Sequence, residues 1–77
     1  MNIGEAVRER IIELCRERDI SINKLCSMSG VTQSTVNNIV SGRNNSATIS
    51  TIKKLCDGLG ITIQDFFNAS LFMDLDQ

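Results

Sequence analysis

SINKLCSMSGVTQSTVNNIVSG, Ser21 to Gly42, decides how this 77-residue chain is read. Ser21 stands just before the apolar run Ile22, Leu25, Cys26, where a hydroxyl can cap a helix by accepting a backbone N–H. That helix is short, because Gly30 follows and suits the left-handed position that ends a helix without steric cost. Thr32 is the next candidate cap. Val36, Ile39 and Val40 then share one side of a third helix, within about 100° on a helical wheel, and Gly42 stops it. Opposite them, Gln33, Ser34, Asn37, Asn38 and Ser41 fill an arc of about 140°. Asparagine and serine are mediocre helix formers, since their side chains compete for the backbone. A helix surface given over to them is there for some purpose other than helix stability.

Outward from this stretch the periodicity stays helical. From Ile3 to about Arg18, the residues Ile3, Val7, Ile11, Leu14 and Cys15 recur on one face. Glu5, Glu9, Glu13 and Glu17 step along another, with Glu5–Arg8 and Glu13–Arg16 at the i,i+3 spacing of supporting ion pairs. RNNSAT, residues 43–48, is a polar loop whose Thr48 caps a fourth helix with Ile49, Ile52, Leu55, Cys56 and Leu59 on its core face. Gly58 weakens the last turn and Gly60 closes it. TIQD, residues 62–65, has the [ST]-x-x-[DE] form of a helix start and leads into Phe66 and Phe67 on a short fifth helix. No segment alternates with period two long enough to be a strand. The expected fold is all-α, a compact five-helix bundle over residues 1–68. In the tail, residues 69–77, Leu71, Phe72, Met73 and Leu75 are interleaved with Asp74 and Asp76. This is too apolar for a solvated end, and we expect it to dock on its own domain or to contact a second subunit.

Composition bounds the function. A chain of this size buries only about 60% of its unfolded surface, so its stability margin is thin. Apolar content of 42% and charged content of 22% fit a globular chain. The apolar runs are too short for a membrane-spanning helix, and the acidic Glu5 with no apolar h-region argues against an export signal. The expected location is the cytoplasm. Three widely spaced cysteines, Cys15, Cys26 and Cys56, and no histidine give no metal set without a carboxylate or another chain. Each cysteine falls on an apolar helical position and is read as a buried free thiol. Without histidine, a paired nucleophile or a glycine-rich phosphate loop, enzymatic chemistry is not expected. No cofactor and no small-molecule ligand is implied.

Net charge is −1, yet no acid occurs between Asp19 and Asp57, where Lys24, Arg43, Lys53 and Lys54 contribute +4 and leave −5 for the rest. The basic segment contains the amide ridge. Two short helices joined by three or four residues around Gly30 have the spacing of a helix-turn-helix, about residues 21–41, whose second helix offers its outer face to the DNA major groove. Gln33, Asn37 or Asn38 can pair bidentately with the N6 and N7 edge of adenine, and Ser34 can donate or accept. Surrounding cations such as Lys24 supply attraction by releasing counterions from phosphates.

Ser21 to Gly42 resembles the helix-turn-helix of the Cro/CI-type (XRE) DNA-binding regulators. ISTIKKLCDGLGITIQDFF, residues 49–67, extends the likeness over nearly the whole chain. The matching positions are Leu25, the small Cys26, Gly30, Val36 and Ile39. The resemblance implies a lambda repressor-like five-helix bundle and a transcriptional regulator, expected to be a repressor, that binds a pseudo-palindromic double-stranded DNA operator as a homodimer. It puts Gln33, Ser34 and Asn38 on base-reading positions, and Ser21 and Arg43 on phosphate-contacting ones. Thr32 would cap the recognition helix and anchor it to the backbone; Lys24 and Ser41 flank the same surface and complete the expected backbone contacts. Four positions depart from the family pattern. Ile22 replaces a glutamine that commonly braces a recognition-helix side chain. Ser29 takes an apolar position, and the 43–48 loop is longer and lacks a proline. Cys15 and Val40 stand where some members bury an Arg–Glu pair, and they are expected to pack on each other, since paired apolar replacement of a buried ion pair can be neutral or stabilising.

A second function class fits the same residues: a protein-interaction module, antitoxin-like or a helix-turn-helix that has lost DNA and binds a protein through Leu71 to Leu75. Net acidity and Ile22 favour it. Salt-titrated DNA binding separates the two, because phosphate contacts weaken steeply as salt rises.

Overall fold

Each α-helix among the described residues begins on a side-chain oxygen. In the structure, a computed structural model describing residues 1–42 and 47–76, these caps are Asn2, Ser21, Thr32, Thr48 and Thr62. They open α1 (Ile3–Glu17), α2 (Ile22–Ser29), α3 (Gln33–Val40), α4 (Ile49–Leu59) and α5 (Ile63–Phe67), after which Ser70–Phe72 forms one 3-10 turn. The last four caps are the ones expected from sequence; Asn2 is an addition. Its Oδ1 accepts from the Glu5 N–H at 2.8 Å while the Glu5 carboxylate accepts from the Asn2 N–H at 2.9 Å, a reciprocal capping box. Glu5 is thereby spent on the cap, not on Arg8. Glu13 likewise pairs with Arg10 and not with Arg16. Among the described residues there is no strand, and no helix is long and apolar enough to cross a membrane.

Three of the connections are one device used repeatedly. CRERDIS (15–21), CSMSGVT (26–32) and CDGLGIT (56–62) share the form Cys-x3-[Asp/Gly]-[Ile/Val]-[Ser/Thr]. The fifth residue, Asp19, Gly30 or Gly60, turns left-handed at φ 54°, 67° and 72°. The sixth then donates its N–H back to the cysteine carbonyl: Ile20 to Cys15 at 3.0 Å, Val31 to Cys26 at 3.3 Å, Ile61 to Cys56 at 3.0 Å. That is the Schellman closure, and its β-branched residue packs against the core. The seventh residue caps the next helix. One heptapeptide therefore stops a helix, pins the corner into the core and starts another. All three cysteines are buried and free.

The core is built from Val7, Ile11, Leu14, Cys15, Leu25, Cys26, Val36, Ile39, Ile52, Leu55, Cys56, Leu59 and Phe66. α2 and α4 make the broadest helix contact, and Gly58 explains why. A Cβ there would lie 2.8 Å from the Ser29 Cα and 3.0 Å from the Met28 carbonyl carbon. The glycine that weakens α4 as a helix is what lets α2 lie against it. Cys15 is buried and Val40 half-buried, and both belong to the same packed cluster. Two expected core residues are not in it: Ile3 is 44% exposed and Ile49 68% exposed. Both occupy the first helical position after a cap and stand at the rim of an apolar hollow of about 200 Å³ with Val7, Ile52 and Phe67, which none of the described side chains fills.

Among the described residues, Arg10 is the buried charge. Its Nε donates to the Phe66 carbonyl at 2.7 Å and one terminal nitrogen to the Asp65 carbonyl at 2.8 Å, so α1 closes the C-terminal end of α5. Phe72 packs on Phe67 and Phe66 with ring centroids 4.9 and 6.3 Å apart, and the Asp76 N–H donates to the Met1 carbonyl at 3.1 Å.

Candidate nucleic-acid interface

α2 and α3 meet at the Gly30 corner, and the corner orients the ridge. Ser21 Oγ accepts from the Lys24 N–H at 3.0 Å, starting α2. Thr32 starts α3, its hydroxyl 2.7 Å from that of Thr35 and 3.5 Å from that of Ser34. With Val36 and Ile39 buried beneath, Gln33, Ser34, Asn37 and Ser41 stand exposed and Asn38 is half-buried at the edge of the ridge. Ser41 Oγ donates to the Asn38 carbonyl at 3.4 Å, so it also finishes the helix whose end it marks. Of the residues expected to read bases, three are exposed, while Asn38 is half-buried. Of those expected to hold phosphates, Ser21, Lys24, Thr32 and Ser41 are exposed, and Arg43 lies outside the described residues, as does most of the 43–48 loop.

The electrostatics are sparer than the count of cations suggests. Lys53 pairs with Asp57 one turn on, with both side chains more than half exposed. A solvated i,i+4 pair contributes little to stability but offsets the local charge. None of the ion pairs among the described residues uses Lys24 or Lys54. Arg8 adds a cation that sequence reasoning passed over. Its guanidinium lies beside Gly42, 2.9 Å from where a Cβ would stand, at the C-terminal end of α3 where the helix dipole favours positive charge.

Burial raises the pKa of Cys15, Cys26 and Cys56, with Cys15 raised further by Cys26 and lowered by Arg18, so these thiols are held protonated and unreactive. Among the described residues, no three histidine, cysteine or acidic side chains come together as a metal set.

A second residue of the site also escaped the sequence reading. Asn23, in the first turn of α2, accepts a hydrogen bond at Oδ1 from Gln33 Nε2. The missing glutamine at position 22 had left the recognition helix without its expected brace. The amide one residue later reaches Gln33 instead. Periodicity within either helix cannot reveal such a pair, since it depends on how the two helices are set across the turn.

A short recognition helix with a solvated amide and hydroxyl face, propped by a second helix across a left-handed glycine, defines a DNA-binding helix-turn-helix protein. The Cro/C1-type HTH DNA-binding domain profile matches residues 10–70, and the chain belongs to that family. A solved structure titled as the prophage Lp1 protein 11 superposes with a TM-score of 0.83 at 38% identity, covering 97% of this chain and 100% of that one. No curated protein matches the chain.

Proposed function

We propose that this protein is a sequence-specific regulator, a repressor, that lays α3 in the major groove of double-stranded DNA and binds a pseudo-palindromic operator as a homodimer in the cytoplasm. The observation that carries this reading is the ridge: uncharged donors and acceptors stand exposed where a surface helix would ordinarily carry lysine and glutamate. In this reading Gln33, Ser34, Asn37 and Asn38 meet base edges, which discriminate between bases, while Ser21, Lys24, Thr32, Ser41 and Arg43 hold phosphates, which do not. A single short helix spans few base pairs, so two copies one helical turn apart supply the specificity a single copy lacks. Docking of the tail onto its own aromatic cluster favours DNA over a protein partner captured by Leu71 to Leu75.

Selection of bound sequences from random duplex DNA, followed by a salt titration on the enriched site, tests the proposal. The expected result is an inverted-repeat motif whose affinity falls steeply with salt. Recovery of random sequence, or binding indifferent to salt, removes it.

A further inference from the structure

Resting on the DNA-binding reading, we infer that Asn23 is a positioning residue for base recognition: its amide fixes the rotamer of Gln33, so that α2 helps set which base α3 reads. Three observations carry this. Gln33 Nε2 donates to Asn23 Oδ1 across the turn, between helices that share no other hydrogen bond of two exposed side chains. Both residues are exposed, so the bond is not a by-product of core packing. Gln33 is the first residue of α3, where a long flexible side chain has no neighbour in the preceding turn to hold it. The bond uses one amide hydrogen of Gln33 and leaves its Oε1 and second N–H free. Those are the acceptor and donor that a bidentate contact to adenine requires. Unbraced, the same amide can turn over and present donor and acceptor in reversed order, or swing away altogether. Asn23 thus supplies order, and Gln33 supplies the contact.

The test uses the full chain and its selected operator. Gln33→Ala first identifies the base pair that Gln33 reads. Asn23→Ala is then expected to lower discrimination at that same base pair by about two- to tenfold, the cost of ordering one flexible side chain in the bound state. Preferences at other positions should hold, and the thermal unfolding midpoint should not move. Asn23→Asp separates positioning from contact. A carboxylate still accepts from Nε2, so base preference should persist while its negative charge weakens binding to all sequences alike. Combining Asn23→Ala with Gln33→Ala should add nothing at that base pair beyond Gln33→Ala alone. If Gln33→Ala relaxes one base pair and Asn23→Ala leaves it intact, or weakens every sequence equally, the inference is wrong and the DNA-binding reading stands. If no variant changes any preference because no operator is bound, that reading fails and takes this inference with it.

Discussion

Gly58 lies against Ser29 so closely that a methyl group on it would sit 2.8 Å from the Ser29 Cα. Alanine is the better helix former by about 1 kcal/mol, so propensity alone says Gly58→Ala stabilises α4. Overpacking backbone against backbone costs about 1–3 kcal/mol and cannot be relieved by a side-chain rotation. The expected outcome is net destabilisation of about 1 kcal/mol or more in urea unfolding. A variant as stable as the parent would mean that the two helices can part freely.

Ser29 carries the opposite prospect. Its Oγ is buried at that contact with no hydrogen-bond partner. Ser29→Ala removes the orphaned hydroxyl and keeps the Cβ, and a buried unsatisfied polar group costs about 1–3 kcal/mol. We expect the variant to gain about 1 kcal/mol, or roughly 4–8 °C in the midpoint of thermal unfolding for a domain of this size.

Asp19 ends α1 in the left-handed region at φ 54°, which costs a side-chain-bearing residue about 1 kcal/mol. It also puts an anionic carboxylate at the negative end of the helix dipole. Asp19→Gly relieves both, as the glycines at the two sister corners do, and should raise stability by about 1 kcal/mol. Asp19→Asn should recover part of that. Calorimetry showing no gain for either would indicate that the corner is not strained.

Arg10 is different in kind, because its loss strands two carbonyls and a buried packing site. Arg10→Ala should cost about 3 kcal/mol, and Arg10→Lys only part of that, since an ammonium cannot reproduce the fork of donors. Operator preference at low temperature should be unchanged. A changed base preference would place Arg10 in recognition, not in the frame.

The thiols set an alkaline limit. Burial holds each of them above the ordinary thiol value of 9.0, so above that pH the unfolded chain releases protons that the native chain retains. Stability is then fully present below the unfolded pKa and is lost as pH rises toward the folded one. Cys56→Ala should show a shallower fall in urea midpoint above that pH than the parent. Parallel curves for the two would show that Cys56 contributes nothing to the dependence.

Two substitutions separate reading from gripping. Asn38→Ala should relax preference at one operator position by about 1–3 kcal/mol, whereas Lys24→Ala should weaken all sequences alike and reduce the salt slope by about 1. Partial burial of Asn38 makes it the stricter case. If it proves silent in base preference while Asn37→Ala does not, the reading edge lies one residue toward solvent.

The caps, stops and faces were legible one helix at a time. Ser21, Thr32, Thr48 and Thr62 act through the N–H three residues on, and Gly30 and Gly60 through their own φ, so short-range chemistry was enough to bound four helices. The solvent-facing side of Gln33, Ser34 and Asn37 followed from the position of Val36 and Ile39 beneath them. Ile3 and Ile49 were misread because a helical wheel gives a direction but not whether anything stands opposite. Arg10 carries no local signal of burial, because the carbonyls that hold it lie at the end of α5, more than fifty residues away.

Sequence by itself therefore determined the helices, their order and the polarity of the recognition face, since each rests on groups within one turn of each other. Tertiary structure alone decided the Gly58–Ser29 approach, the Arg10 clasp and the Asn23–Gln33 brace. Each of these is a contact between elements set in place by burial of a shared core, a force with no direction along the chain and hence no periodic trace in it.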